Sequence, residues 1–206
     1  MNHVDLLHRG IAAAVQRFHR NRFDFLSERD LQALLFGILV AEFGSETIPM
    51  KGGYHSAEAY GGTDTIQTIP VKCEYSISQR TSEKFDLAIL DSEAVRHYDP
   101  DEWRRREFKS DAFWNQPVRA AVEIKYLQLG VSLRRGAAWV QQDVEKLRPC
   151  LEDRRDRPFL GISLLFIQSA APVPSAFFTG SEISEDPQDG LATYVVTPAL
   201  WRKFSA

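Results

Sequence analysis

Apolar positions near the start of the chain recur every three or four residues, which is the period of a helix with one buried face. The pattern consists of Val4, Leu7, Ile11, Val15 and Phe18. It predicts a helix from His3 to Arg20. A second helix is predicted from Ser27 to Phe43, because Ser27 is a favoured N-cap residue, acidic side chains follow it and Gly44 is a favoured stop.

Apolar runs with few polar interruptions predict strands in the rest of the chain. The predicted strands are 69–78, 84–91, 118–127, 159–168 and a short one at 193–196. A third helix is predicted from Trp139 to Cys150 and a last turn near Ala199 to Phe204. A polar turn at 79–83 favours an antiparallel hairpin, and the third helix favours a crossover between parallel strands. Residues 51–65 are predicted to form a loop or loose hairpin, and 92–117 an irregular stretch with a short helix.

This order of elements predicts an α/β fold (α+β in stricter usage), with a mixed central sheet of four or more strands flanked by helices. The core order is αβββαβ, formed by residues 27–168. Residues 1–26 would add an N-terminal helix and residues 169–206 a C-terminal extension, all within one domain of 206 residues.

Composition narrows the class of protein. A hydrophobic content of 44% and a charged content of 26% are ordinary for a globular domain. The sequence has no apolar run of about 20 residues and no signal-peptide layout, so no membrane partner is expected. Cys73 and Cys150 are too few for a disulfide framework and lack zinc-site spacing, which favours a cytoplasmic location. A net charge of -3 argues against coating nucleic acid by bulk electrostatics, but not against an enzyme that acts on it.

Three charged residues interrupt two otherwise apolar strands. Asp86 stands within Phe85–Leu90, and Glu123 and Lys125 point to the same face of the strand 118–127. Burying charged groups costs free energy, so charged residues inside apolar strands indicate a functional site. An alternative is a structural pair on an exposed edge strand.

These residue types suit phosphodiester hydrolysis. Asp86 and Glu123 could hold Mg²⁺, for which Mn²⁺ could substitute, and the backbone carbonyl of Ile124 could be a further ligand. Lys125 would orient or deprotonate the attacking water, or stabilise charge on the phosphate. The sequence has no phosphate-binding glycine loop, nucleophile elbow or Cys/His cluster, which argues against P-loop ATPases, serine hydrolases and zinc hydrolases.

Asp86, Glu123-Ile124-Lys125 and the element order from Ser27 to Gln168 together resemble the PD-(D/E)XK nuclease superfamily, which has the restriction-endonuclease-like fold. The resemblance implies a Mg²⁺-dependent nuclease that acts on DNA rather than RNA. It also implies a further catalytic and metal-binding acid from an N-terminal helix, at the position of Glu28. Polar residues on the helix after the Glu-x-Lys strand would correspond to Gln142, Asp143 and Lys146. Phe85 stands where the family name has proline.

Several of these residues have a plain alternative interpretation. Glu28 could serve only the dipole of its helix, and Glu74 is then the substitute ligand. For Asp143 and Lys146 a solvated helix face is the favoured interpretation. The candidate nucleic-acid contacts are Arg104, Arg105, Arg106, Arg134, Arg135 and Lys146, although a solvated surface is favoured for any single basic patch.

Two other functions stay open on the sequence alone. One is a catalytically silent module that binds nucleic acid or protein on the same fold. The other is a nuclease subunit that needs a partner protein. A homodimer is also compatible, since cutting both strands of a duplex with one site per chain favours two copies.

Overall fold

The structure is a computed structural model that describes residues 2–51, 65–76, 84–96, 118–152, 158–170, 173 and 185–205. The helices are α1 (His3–Arg20), α2 (Glu28–Phe43), α3 (Ser92–Arg96) and α4 (Leu133–Glu152), with a 3₁₀ turn at Arg22–Asp24. The strands are β1 (Ile48–Lys51), β2 (Thr65–Thr68), β3 (Val71–Ser76), β4 (Lys84–Leu90), β5 (Val118–Leu127), β6 (Leu160–Ile167), β7 (Gly190–Thr197) and β8 (Leu200–Ser205). None of the described helices is long and apolar enough to cross a membrane.

A six-stranded mixed sheet in the order β3-β4-β5-β6-β7-β8 forms the centre of the described chain. Strands β3, β4 and β5 are antiparallel, β5, β6 and β7 are parallel, and β8 returns antiparallel to β7. The predicted hairpin and the predicted parallel crossover are therefore confirmed, as is a mixed α/β sheet flanked by helices. Strands β1 and β2 form a separate antiparallel pair.

The alternation of side chains along β5 and β6 divides the core into two layers. Val122, Ile124 and Leu164 pack with α1 and α2 on one face. On the other face Leu165 and Ile167 pack with α4. Since both faces are covered, β6 is buried along its whole length and its sequence is almost entirely apolar. Glu123 and Lys125 belong to the α4 face.

The two N-terminal helices form as their sequence predicts. Helix α1 covers the predicted range His3–Arg20. Helix α2 begins after Ser27, whose backbone N–H donates to the Asp30 carboxylate at 2.8 Å, and ends at Gly44, which adopts a φ of 59°. The start of α2 is therefore fixed, which matters because Glu28 lies there.

Three predicted boundaries are wrong. The predicted turn at Ala199–Phe204 is the strand β8, which pairs with β7 although its sequence carries little apolar alternation. The predicted strand 69–78 begins two residues later, at Val71, because Pro70 lacks a backbone donor, and its last two positions, 77 and 78, lie outside the described residues. Helix α4 starts at Leu133 rather than Trp139. Its first turns were missed because Gly136 packs on the sheet with no apolar side chain of its own.

Gly161 allows α4 to lie close to the sheet. A Cβ at this position would stand 3.2 Å from Leu147 Cβ and 2.7 Å from Leu191 Cδ2. Gly161→Ala is therefore expected to lower the free energy of unfolding by about 1–3 kcal/mol, measured by urea denaturation. The matched control is Gly37→Ala on α2, where a Cβ meets open space and stability should rise by up to about 1 kcal/mol. Equal stability of the wild type and Gly161→Ala would contradict this account of the packing.

Candidate functional site

The backbone pairing between β4 and β5 stops at Leu87 and Val122, before either strand ends. Beyond that pair, Asp86 Oδ2 accepts the hydrogen bond of the Ile124 backbone N–H at 2.7 Å. A side-chain oxygen thus takes the place of a backbone acceptor, while β5 continues to Leu127 in register with β6. The strands separate at this point, and the charged residues lie around the separation.

Sheet register and the crossover helix bring the charged side chains together. Continuing the β4–β5 register by one residue places Asp86 opposite Glu123, on the same face. Helix α4 packs on that face. Its Lys146 Nζ lies 2.7 Å from Glu123 Oε1, and its Asp143 Oδ1 lies 3.6 Å from Lys125 Nζ. Lys146 also donates to the backbone carbonyl of Lys84 on β4.

Helix α2, which packs on the opposite face of the sheet, supplies two more polar side chains. Glu28 Oε1 lies 3.5 Å from Lys125 Nζ. One helical turn later, Gln32 Nε2 donates to the Asp86 backbone carbonyl at 2.9 Å and to Glu74 Oε1 at 3.0 Å. The start of α2, β3, β4, β5 and α4 therefore meet at one cluster.

Burial raises the pKa of four carboxyl groups in the cluster. Glu123 is only 2% exposed, and burial, together with the nearby charge of Asp86, raises its pKa to about 8. Burial is also the leading cause of the raised pKa values of Asp86, Asp143 and Glu28. Four carboxyl groups share two lysines, so the fully ionised cluster carries surplus negative charge.

Lys125 is held as an ammonium. Burial acts to lower its pKa, but the combined charges of Asp143, Glu28, Asp86 and Glu123 raise the pKa above its ordinary value. The raised pKa favours the ammonium form of Lys125 as long as no cation is bound nearby. The geometry suits orientation of a water molecule or stabilisation of negative charge.

The donor atoms suit a hard divalent cation. Carboxylate and carbonyl oxygens are the ligands that Mg²⁺ prefers. The buried Glu123 Oε1 contacts Lys146, yet no described group meets it with hydrogen-bond geometry. The Ile124 carbonyl accepts from Lys125 Nζ at 3.1 Å. Within the described residues no group of three or more acidic, histidine or cysteine side chains is arranged to hold a metal ion.

The structure brings Asp86, Glu123, Lys125 and Glu28 into one cluster. Glu74 is exposed and bonded to Gln32, with a backbone φ of 48° that is unusual for a residue with a side chain. Arg134 and Arg135 are exposed in the first turn of α4. Arg104, Arg105 and Arg106 lie outside the described residues.

One interpretation of the α4 residues is wrong. A solvated helix face was favoured for Asp143 and Lys146, but Asp143 is 4% exposed and Lys146 forms an ion pair with a buried glutamate. The spacing of Asp143 and Lys146 along the helix is the same whether their face points to solvent or to the sheet. The sequence therefore could not distinguish a solvated face from a buried one. Gln142, next to them, is exposed.

Sequence inspection missed two members of the cluster. Ser163 Oγ donates to Asp143 Oδ2 at 3.0 Å and pairs in register with Glu123. Its signal was present, because it is a lone polar residue in the apolar strand β6. Gln32 gave no comparable signal, since a glutamine on an amphipathic helix is ordinary.

A comparison of the chain with protein-family models, with curated proteins and with solved structures gives no significant match. A functional proposal for this protein therefore depends on the chemistry of the cluster.

Proposed function

We propose that this protein is a divalent-metal-dependent nuclease that hydrolyses phosphodiester bonds of DNA rather than RNA, on a restriction-endonuclease-like fold. The observation that carries the proposal is the meeting of Asp86, Glu123 and Lys125 where the β4–β5 ladder ends. The order α2, antiparallel β3-β4-β5, α4 and parallel β6 supports the fold assignment, because it agrees with the core order αβββαβ of the resembled superfamily.

In the proposed mechanism Asp86 and Glu123 would hold Mg²⁺, the Ile124 carbonyl and Glu28 would be further ligands, and Mn²⁺ could substitute for Mg²⁺. When bound, the ion would neutralise charge on the scissile phosphate and make water more acidic. Lys125, kept protonated by its carboxylate neighbours, positions the attacking water and stabilises the negative charge that develops on the phosphate. Asp143, fixed by Ser163, holds Lys125 in place.

Asp143 is a positioning residue in this proposal. Asp143→Asn keeps the side-chain volume but removes the charge 3.6 Å from Lys125 Nζ, so the cleavage rate is expected to fall about 10- to 100-fold. The measurement is the initial rate at saturating metal, with stability followed in parallel by thermal unfolding. Gln142→Ala, on the exposed neighbouring position, should leave the rate unchanged. Equal rates for both variants would remove Asp143 from the mechanism.

The proposal is tested with labelled single- and double-stranded DNA and RNA, incubated with Mg²⁺, with Mn²⁺ or with a chelator. Cleavage of DNA that requires metal is expected. Absence of cleavage on every substrate, or cleavage that persists in chelator, would contradict the proposal.

A silent binding module is the second candidate, because Lys146 Nζ, 2.7 Å from Glu123 Oε1, supplies a positive counter-charge to this group from within the chain. Such a protein would bind nucleic acid equally well with and without divalent metal and would cleave none. A subunit that needs a partner would gain metal-dependent cleavage only when its partner from the native host is added.

A further inference from the structure

Three of the four large apolar side chains that are exposed among the described residues lie on the segments that flank Glu28 of α2 and Lys125 of β5. They are Phe23, Leu26 and Leu129, with exposed fractions of 59%, 76% and 58%. We call these three residues the apolar rim. Single exposed apolar residues are common, but a group of them next to a candidate active site indicates a contact surface.

Well-defined hydrogen bonds hold the backbone of the apolar rim. The Tyr126 hydroxyl donates to the Phe25 carbonyl at 3.0 Å, and Gln128 Nε2 donates to the Leu26 carbonyl at 2.6 Å. The Leu26 backbone N–H donates to Asp30 Oδ2 at 2.8 Å. The segment before α2 is thus tied to the end of β5, so that Phe23 and Leu26 are exposed on a supported backbone.

The apolar rim lies on the same two elements that supply Lys125 and Glu28. Leu26 immediately precedes the N-cap of α2, whose first residue is Glu28, and Leu129 follows the end of β5, which carries Lys125. The segments that carry the apolar rim therefore continue directly from the two residues that form the Glu28–Lys125 contact.

Arginines accompany the apolar rim. The Arg22 guanidinium lies 4.8 Å from the centre of the Phe23 ring, and the Arg135 guanidinium lies 5.2 Å from the centre of the Trp139 ring. Arg134 is exposed beside Arg135. Among the described residues none of these three arginines forms an ion pair, but Arg22 Nε is buried, so Arg134 and Arg135 are the guanidinium groups that phosphates could reach.

We infer that the apolar rim binds unpaired nucleotides and that the substrate class of this site is single-stranded DNA or the frayed end of a duplex. The inference rests on the proposed nuclease function. Apolar side chains gain free energy from the faces of bases, and a closed duplex presents phosphates and sugars instead. The arginines favour nucleic acid over a protein as the partner, because guanidinium groups bind phosphates and an ordinary protein surface carries none.

The test is binding in chelator, where metal-dependent cleavage cannot occur. Fluorescence anisotropy with a labelled mixed-sequence oligodeoxynucleotide, single-stranded or annealed to its complement, is measured for the wild type and for Phe23→Ala/Leu26→Ala. The variant is expected to bind the single strand about 5- to 100-fold more weakly, with duplex affinity unchanged. The matched control is Leu200→Ala, which removes the fourth exposed apolar side chain, on the edge strand β8.

An equal loss of affinity on single strand and duplex, or no loss on either, would overturn the inference. So would a wild-type protein that binds only duplex, or a dimer in gel filtration that becomes a monomer in the variant, which would make the rim a self-association surface. Circular dichroism verifies that the variants are folded. Failure of the nuclease proposal is seen separately: the rim would still bind single strands in chelator, while no substrate is cleaved when metal is added.

Discussion

Lys125→Met is expected to lower the rate of metal-dependent DNA cleavage at least about 100-fold, with the protein still folded. Lys125 Nζ lies within 3.6 Å of both Asp143 and Glu28, at the point where the Asp86 and Glu123 carboxylates converge. Methionine keeps much of the side-chain length but supplies neither charge nor donors, so it cannot orient water or stabilise charge on the phosphate. Initial rates at saturating metal measure the effect, and a thermal unfolding curve verifies the fold.

Lys72→Met is the matched control for this experiment. Lys72 lies on β3, where it contacts Thr68, and it is half-buried like Lys125. Its replacement should leave the cleavage rate within about twofold, since Lys72 is not among the charges that act on Asp86, Glu123 or Lys125. A Lys125→Met protein that cleaves DNA at the wild-type rate would contradict the proposed mechanism.

Glu123→Gln is expected to change how stability depends on pH. In the folded protein the pKa of Glu123 is raised to about 8 from an ordinary value of 4.5, mainly because the group is buried. Between these two pH values the folded state binds more protons at this group than the unfolded state does. Its contribution to stability is therefore fully present below about pH 4.5 and is lost as the pH rises through about 8.

Glutamine has nearly the same volume as glutamic acid and does not titrate. In metal-free buffer, the free energy of unfolding of the wild type should therefore fall relative to that of Glu123→Gln by roughly 2–4 kcal/mol between pH 5 and pH 8. Urea denaturation at the two pH values gives the difference. Taking the difference between the two proteins cancels titrating groups that do not interact with Glu123, such as the buried His8, whose pKa is lowered mainly by burial. A difference that stays constant, or that changes in the opposite direction, would refute the burial-driven pKa shift.

The chemistry of the candidate site was predictable where a charged residue broke a simple pattern. Asp86, Glu123 and Lys125 each interrupt an apolar strand, and alternation along a strand assigns Glu123 and Lys125 to one face without further information. Glu28 was proposed from the family resemblance, and the structure places it 3.5 Å from Lys125. The same reasoning applies to Ser163, which is the one polar residue in the apolar strand β6 and pairs in register with Glu123.

The sequence by itself determined the helix and strand content of the core, the hairpin and crossover, and the three charged strand residues, because these follow from local periodicity and turn chemistry. Only the tertiary structure decided that Asp143 and Lys146 face inward and that Gln32 reaches Asp86. Those contacts depend on how α2 and α4 are rotated and docked on the sheet, which residues distant in sequence determine together. The raised pKa of Lys125 has the same origin, since it arises from four carboxylates supplied by four different elements.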